Sequence, residues 1–332
     1  MVVAGALRVA CGGNAGPTSS PETGAGVPNG PNAPNGPSAP NAPSDPGGAG
    51  VEPVFVVAME NQDADRIYGN VDDAPYINGT LLSRYAHATA FTDVLPQLPS
   101  EPHYAWMEAG TNAFTDHTFT TDDRPSTHNS TASRDHLTAQ IAAAGGGLDW
   151  MSYQEGISAA TGACPLEGAG FYRPRHNPFV FFQDVSGNPP SKDNAACAAH
   201  HRDLAALAAD LASGDVAAYN FISPDLCHDM HGAAGCPDSN RTRAGDDWLA
   251  ANMPPLIDFV NRNGGVILVT WEEGSHSATL PFIAVGPSIK QGYAGAIPYT
   301  HSSLLKTVEK LLGLPILPTV ASANDLDDLF AP

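Results

Sequence analysis

The chain has 332 residues, of which 42% are hydrophobic, so it is long enough to bury a substantial core. Its 15 basic residues stand against 35 acidic ones, which gives a formal net charge of −20. A surface this acidic repels polyanions, and this excludes nucleic acid as a partner of the molecule as a whole. It also repels phosphorylated substrates, so any phosphate-binding site has to be locally positive.

The beginning of the chain does not have the composition of a globular domain. Residues 12–50 consist almost entirely of Gly, Pro, Asn, Ala and Ser. Such a segment cannot bury enough apolar area to offset the entropy lost on ordering it. We therefore predict a disordered tether over residues 12–50, followed by one large domain over residues 51–332.

Residues 1–11 predict export. The segment 7–13, with Cys11 inside it, resembles the end of a bacterial lipoprotein signal, in which the cysteine is lipidated. Arg8 departs from the apolar residue expected there, and the residues before Cys11 are few for a signal peptide. We expect a bacterial protein that is secreted or held at the cell surface, with membrane attachment through Cys11 as the open alternative.

Apolar runs alternate with amphipathic patterns along the rest of the chain. The run 54–59 is almost unbroken and β-branched, and 266–271 repeats the design, as in strands buried on both faces. Further strands are predicted over 179–182, 217–222 and 282–285, and helices over 81–86, 103–110, 137–144, 200–211, 246–261 and 302–312. The alternation favours an α/β fold with a mainly parallel sheet covered on both faces.

Both buried runs end in oxygen-bearing side chains. Glu60 and Asn61 follow the first run, and Glu272 and Glu273 follow the second. In open α/β sheets, ligands bind beyond the carboxyl ends of the strands. Hard cations take oxygen ligands, so we predict a divalent cation site at this edge. The oxygen ligands favour Ca²⁺, Mg²⁺ or Mn²⁺, while nearby histidines keep Zn²⁺ open.

The cysteines indicate an oxidising compartment. Cys227 and Cys236 are nine residues apart in a loop-like stretch, and Cys164 and Cys197 could form a second disulfide. Metal ligation is the rival interpretation, but no CxxC spacing supports it.

Six short motifs then occur in a characteristic order. They are Met59-Glu60-Asn61, Pro99 to Tyr104, Arg175 to Phe179, Ser223 to His231, Thr270 to Glu273, and His301 to Pro315. Over residues 53–316 the chain resembles the bacterial phosphoesterases of the secreted acid phosphatase and phospholipase C type, which include phosphatidylinositol-3-phosphatase-like enzymes. The resemblance implies a three-layer α/β/α sandwich of the alkaline phosphatase superfamily, with residues 51–332 as the catalytic domain.

The resemblance also implies metal ligands. Glu60 and Asn61 match the first ligand pair, Ser100 matches a nucleophile that also contacts the metal, and Glu272 stands where Asp is usual. Glu273 is either a further ligand or a residue that orients its neighbour. Two more residues are candidate ligands, namely Asp225 and His301, the latter alternatively just the first residue of the last helix.

Catalytic roles follow from the same motifs. Ser100, which could otherwise be a helix cap, matches the nucleophile, and His228 is the expected proton donor or a phosphate contact. Arg175 and His176 are expected to bind phosphate, unless Arg175 is a surface residue. His103 stands where Asn is more usual and is a third candidate for substrate binding.

These residues predict a function. We expect an exported, metal-dependent acid phosphatase that hydrolyses phosphate monoesters through a phosphoserine, on small phosphorylated substrates such as nucleotide monophosphates or phosphoinositides. The alternatives are a phospholipase C or phosphodiesterase acting on phospholipid head groups, and a catalytically silent surface protein that binds metal. The sequence leaves the oligomeric state open.

Overall fold

The computed structural model describes residues 51–157 and 162–332. The predicted signal-like segment 1–11, the tether 12–50 and the lipidation of Cys11 lie outside the described residues. They remain predictions.

The described residues form an eight-stranded sheet with the strand order β4-β3-β5-β1-β6-β7-β2-β8. The strands are β1 Val54–Met59, β2 Ala86–Thr92, β3 Trp150–Gln154, β4 His201–Asp203, β5 Tyr219–Ser223, β6 Val266–Trp271, β7 Thr279–Val285 and β8 Ala294–Gly295. β7 is antiparallel to both of its neighbours, and the other pairings are parallel. The prediction of a mainly parallel α/β sheet is confirmed.

The helices surround this sheet. They are α1 Ala64–Ile67, α2 Leu82–Arg84, α3 Ser100–Ala109, α4 Leu137–Ala144, α5 Gln183–Ser186, α6 Ala195–Ala199, α7 Leu207–Ser213, α8 Arg241–Asn263 and α9 His301–Leu311. α3 packs against α4 and α9, while α7 and α8 pack against each other. Every residue of β1 and β6 is buried, so both faces of the central sheet are covered, as a three-layer sandwich requires.

Three predicted elements differ from the structure. Residues 178–181 form a 3₁₀ helix rather than a strand. The region 200–211 holds the edge strand β4, a 3₁₀ turn and the start of α7, because His201 and its neighbours pair with β3 instead of continuing a helix. The region 81–86 contains the end of a π-helix, Ile77–Leu81, and only a short α2 before β2 begins. In the region 200–211, tertiary pairing with β3 therefore outweighs local helix propensity.

Both predicted disulfides are present. Cys164 bonds to Cys197 across 33 residues of sequence, and Cys227 bonds to Cys236 in the loop after β5. Over residues 51–157 and 162–332, no helix combines the length and the apolar character needed to cross a bilayer.

Asp246 on α8 joins two distant parts of the fold. Its carboxylate accepts hydrogen bonds from the backbone N–H groups of Tyr76 and Ile77, at 2.9 and 2.8 Å. These groups begin the π-helix and have no other acceptor within their own turn. Asp246 therefore holds the Ile77–Leu81 segment against α8.

We predict that Asp246→Ala lowers the free energy of unfolding by about 2 kcal/mol, because it leaves buried N–H donors without an acceptor. Asp247→Ala is the matched control: this neighbour is exposed, and its loss should change stability by less than about 0.5 kcal/mol. Urea denaturation of both variants measures the difference, and equal effects would refute the assigned role of Asp246.

Candidate active site

Two glutamates leave neighbouring strands at the same edge of the sheet. β1 and β6 pair in parallel with Met59 opposite Trp271, so Glu60 and Glu272 follow at the same level. The backbone N–H of Glu272 donates to the Met59 carbonyl at 3.0 Å, which ties the two strand ends together. Both side chains are fully buried. The register of the sheet therefore brings together the two acids that the sequence separates by more than two hundred residues.

Asn61 turns the chain sharply after Glu60. Its φ of 39° lies in the left-handed region, which a short polar side chain tolerates better than most residues. Its amide nitrogen donates to Glu273 Oε1 at 3.0 Å, while its side-chain oxygen is buried and has no hydrogen-bond partner. The turn thus places a buried, unpaired oxygen on the residue next to Glu60.

Ser100 is the first residue of α3. The N-cap residue of this helix, Pro99, makes no side-chain cap bond, and Pro102 suits its first turn, where a missing N–H costs nothing. Ser100 Oγ lies 3.4 Å from Glu60 Oε2 and 3.4 Å from Glu273 Oε1. The hydroxyl therefore sits at the positive end of a helix and beside two of the three glutamates.

Burial dominates the electrostatics of the carboxylate cluster formed by Glu60, Glu272 and Glu273. Burial raises the pKa of Glu60 to about 7, against the lowering effect of the hydrogen bond from Tyr104. Burial, followed by repulsion from the other two acids, raises the pKa of Glu272 well above its usual range. Burial also raises the pKa of Glu273. All three acids are therefore costly to ionise as the protein stands.

The carboxylate cluster has the donor set of a cation site. Within the described residues, no Lys or Arg forms an ion pair with any of its three members. Both carboxylate oxygens of Glu272 and the side-chain oxygen of Asn61 are buried without a partner. Buried charges are ordinarily paired or bound to metal, and clustered oxygens suit a hard divalent cation. The residues present therefore fit the cation that the sequence predicts.

Two further buried side chains, Tyr104 and His176, contact Glu60. Tyr104 donates a short hydrogen bond to Glu60 Oε1 and stacks on His176, with ring centroids 5.3 Å apart. His176 lies between two carboxylates, 3.5 Å from Glu60 Oε1 and 3.4 Å from Asp229 Oδ2. Burial, reinforced by nearby Arg175, holds the pKa of His176 well below its usual range, so the ring is neutral.

Positive charge comes from Arg175. Its side chain is 19% exposed, and its Nε lies 3.3 Å from Asp122 Oδ2. Arg175 is close enough to lower the pKa of Glu60 and of Asp229. The predicted phosphate-binding arginine is thus near the carboxylate cluster.

His231 lies on the same side of the site. Its ring centroid is 6.0 Å from that of His176, and its Nδ1 donates to the Gly232 carbonyl at 2.8 Å. This bond fixes the tautomer and leaves Nε2 without a protein partner. Burial, followed by the charges of Arg175 and Arg241, lowers the pKa of His231.

His103 and His301 bind backbone carbonyls next to the site, those of Pro99 and Trp271. His103 engages both ring nitrogens, with the Pro99 carbonyl at 2.8 Å and Asp93 Oδ1 at 3.0 Å. Burial lowers the pKa of His103, but the bond to Asp93 outweighs it and the net change is upward. His301 Nε2 donates to the Trp271 carbonyl at 3.0 Å, while its Nδ1 is buried and unpaired. Within the described residues, neither ring forms a hydrogen bond or an ion pair with Glu60 or Ser100.

Asp225 and His228 join a different group. His228 Nδ1 lies 3.0 Å from Glu155 Oε1 and 3.3 Å from Asp225 Oδ1, at the ends of β3 and β5. The hydrogen bond to Glu155 raises the pKa of His228. No hydrogen bond or ion pair within the described residues links this group to Ser100 or the carboxylate cluster. The structure therefore does not bring these two candidates together with the others.

Four residues of the site were not singled out from the sequence. Tyr104 lies one helical turn after Ser100, so an i, i+4 pattern could have identified it. Asp229 and His231 belong to the motif from which His228 was chosen, and only the loop conformation separates them. Asp122 carries no sequence signal, because its role depends on where a long loop folds back.

The family of the chain can now be stated. The sequence model of the Phosphoesterase family matches residues 74–315, well over half of the chain. The chain belongs to the Phosphoesterase family. The predicted family and the predicted enzyme class, a phosphoric monoester hydrolase, are thereby confirmed.

Two curated proteins are similar to this phosphoesterase. A phosphatidylinositol-3-phosphatase of Mycobacterium tuberculosis is 26% identical over 280 residues, which is 83% of this chain and 82% of that protein. A phosphate-repressible acid phosphatase of Penicillium chrysogenum is 27% identical over 181 residues, which is 51% of this chain and 40% of that protein. Both relatives are phosphatases, so phosphoester hydrolysis is supported from two directions.

Solved structures agree on the fold. A protein of the alkaline phosphatase superfamily from Vibrio parahaemolyticus superposes with a TM-score of 0.52 at 11% identity, covering 85% of this chain and 71% of that one. The lipoteichoic acid synthase LtaP from Listeria monocytogenes gives a TM-score of 0.51 at 11% identity, covering 82% and 76%. At this identity, the similarity shows the shared fold alone.

We predict that Glu60 removes stability from the metal-free phosphoesterase as pH rises from about 4.5 to about 7, a loss measured as the difference between the wild type and Glu60→Gln. The pKa of Glu60 goes from 4.5 to about 7 on folding, so the folded state binds more protons in that window and rising pH favours unfolding. For Glu60 alone the loss is about 3 kcal/mol. Urea denaturation across a pH series measures it.

Glu60→Gln should flatten this dependence, because the amide does not titrate. Asp65→Asn, an exposed acid on α1, should leave it unchanged. Adding a divalent cation to the wild-type protein at pH 7 should restore the stability lost. Wild-type and Glu60→Gln stabilities that change in parallel over this window would contradict the account of the carboxylate cluster.

Proposed function

We propose that the chain is a metal-dependent phosphomonoesterase in which Ser100 is the nucleophile. The observation that carries the proposal is the position of Ser100 Oγ, at the N-terminus of α3 and 3.4 Å from both Glu60 and Glu273. A serine that only capped its helix would not need one buried and one half-buried carboxylate beside its hydroxyl. Attack by Oγ on phosphorus would form a phosphoserine and release the alcohol.

Glu60, Asn61, Glu272 and Glu273 would hold a divalent cation, with Ser100 beside it. Bound there, the cation would lower the pKa of the serine hydroxyl and offset the charge of the phosphate. The all-oxygen donor set favours Ca²⁺, Mg²⁺ or Mn²⁺ over Zn²⁺. The unpaired oxygens of Glu272 and Asn61 support this assignment.

The phosphoryl oxygens would be bound by the positive groups on the outer side of Ser100. The backbone N–H of Glu101, in the first turn of α3, and the guanidinium of Arg175, both of which contact Asp122 in the structure, would bind the oxygens that gain charge during transfer. His176, which is neutral and buried, would keep Glu60 and Tyr104 in position rather than carry charge. Glu273, 3.4 Å from Ser100 Oγ, would accept the serine proton.

His231 is a better candidate than His228 for the proton donor to the leaving group. Its Nδ1 is committed to Gly232, so Nε2 would carry the proton that passes to the leaving oxygen as the ester bond breaks. The neutral ring would then take a proton from the water that hydrolyses the phosphoserine. Because burial lowers the pKa of His231, the donor form needs an acidic medium, which favours an acid phosphatase.

The substrate we propose is a phosphate monoester on a small molecule or a lipid head group. The two phosphatase relatives support a monoester over a phosphodiester, and the Mycobacterium tuberculosis relative supports a phosphoinositide as one candidate. The two disulfides support export, because such bonds persist in oxidising compartments.

Ser100→Ala should reduce turnover of p-nitrophenyl phosphate by about 10³-fold or more, because it removes the nucleophile. The wild-type enzyme should prefer this monoester to bis-p-nitrophenyl phosphate. A fast diester reaction would indicate a phosphodiesterase instead. Wild-type protein that binds cations tightly but shows no turnover would indicate a silent binding protein, and full activity in Ser100→Ala would eliminate the proposed nucleophile.

The two histidine candidates can be separated by the leaving group. Loss of a proton donor slows release of a poor leaving group more than release of p-nitrophenolate. We expect His231→Asn to reduce hydrolysis of glycerol phosphate by about 10²-fold or more, with a smaller loss on p-nitrophenyl phosphate. His228→Asn is the matched variant and should affect both substrates equally and weakly. A large loss on glycerol phosphate in His228→Asn, with only weak effects in His231→Asn, would instead identify His228 as the proton donor.

A further inference from the structure

Asp122 lies where the phosphoryl group of a substrate would be bound. Its Oδ1 accepts the backbone N–H of Glu101 at 3.0 Å, and its Oδ2 lies 3.3 Å from Arg175 Nε. These two groups come from different parts of the chain, one from the N-terminus of α3 and one from the side chain of Arg175. One carboxylate from the surface loop joins them.

The same two groups are the anion-binding donors of the proposed site. The N–H belongs to the residue directly after Ser100, and the guanidinium supplies the nearby positive charge. A carboxylate resembles one face of a phosphate, with two negative oxygens that can bind two donors at once. The carboxylate of Asp122 therefore occupies the two contacts that a phosphoryl group on Ser100 would need.

The contacts of Asp122 with Glu101 N–H and Arg175 can break without disrupting the loop. The Asp122 side chain is 36% exposed, and residues 121–124 are all exposed. Arg175 Nε has no aligned hydrogen-bond acceptor, so its contact with Asp122 is an ion pair alone. The backbone of the loop is held separately, because Asn129 donates to the Asp123 carbonyl at 3.0 Å and to Glu101 Oε2 at 3.1 Å. The side chain can leave by rotation while the loop stays anchored.

Asp122 also adds negative charge to a site that has to accept an anion. It contributes to the raised pKa of Glu273 and of Glu101, although burial is the larger cause for both acids. A residue that served only to bind an anionic substrate would not carry a negative charge. Its position is explained if it competes with the substrate.

We propose that Asp122 is an internal competitor for the phosphoryl site, bound to Glu101 N–H and Arg175 in the free enzyme and displaced by the substrate. Its return after hydrolysis of the phosphoserine promotes release of inorganic phosphate. Asp122 thereby sets the affinity of the site for phosphate and its monoesters. The inference rests on the proposed function, since it assumes that phosphate binds beside Ser100.

The test is inhibition by inorganic phosphate. Asp122→Asn keeps the size of the side chain and removes its charge. We expect the inhibition constant for phosphate and the KM for p-nitrophenyl phosphate to fall by about three- to tenfold, the usual size of one lost competing charged contact. Asp123→Asn removes a neighbouring exposed carboxylate whose one side-chain hydrogen bond within the described residues is from Thr121, and it should change neither constant.

Three results separate the possible failures. An unchanged or raised inhibition constant in Asp122→Asn, with normal wild-type activity, overturns the inference and makes Asp122 a residue that positions Arg175. Equal decreases in both variants also overturn it, because general surface charge would then be the cause. If the wild-type enzyme neither hydrolyses monoesters nor binds phosphate by calorimetry, the proposed function fails first, and the inference fails with it.

Discussion

Glu60 and Glu272 are fully buried side by side, and no Lys or Arg in the described part of the chain forms an ion pair with either of them. Two adjacent buried carboxylates repel each other and lose the solvation that water would provide, so their arrangement is unfavourable without a compensating charge. The other features of the site are consistent with this constraint. Asn61 adopts a left-handed conformation and donates to Glu273, and Tyr104 donates to Glu60.

The sheet makes this arrangement rigid. β1 and β6 are buried on both faces and pair along their full length, so Glu60 and Glu272 cannot move apart without disrupting the centre of the core. α3 then presents Ser100 to the strand ends with its N–H groups facing outward. A rigid cluster of acids and a helix terminus give the two charges of a phosphoryl-transfer site, negative toward a cation and positive toward the phosphate.

Much of this could be predicted from the sequence, because buried parallel strands leave a clear apolar pattern and their last residues share one edge. Glu60, Asn61, Glu272 and Glu273 follow directly from that rule, and Ser100 follows from the family motif. His228 was chosen over His231 because the loop after β5 carries no periodicity, and only its folded path shows which histidine approaches His176. Asp122 depends on a loop that returns to α3, and β4 depends on pairing with β3, so both are tertiary effects that local patterns do not contain.

Calorimetric titration of the metal-stripped protein with Ca²⁺, Mg²⁺, Mn²⁺ and Zn²⁺ tests the central claim most directly, and Glu272→Gln is the comparison. If the buried carboxylates form the cation site, the wild-type protein binds one of these ions with a single strong site, and Glu272→Gln weakens that binding by about 10²-fold or more, as expected for loss of a charged ligand. Wild-type protein that binds none of the four ions, or a variant that binds as tightly as the wild type, would contradict the account.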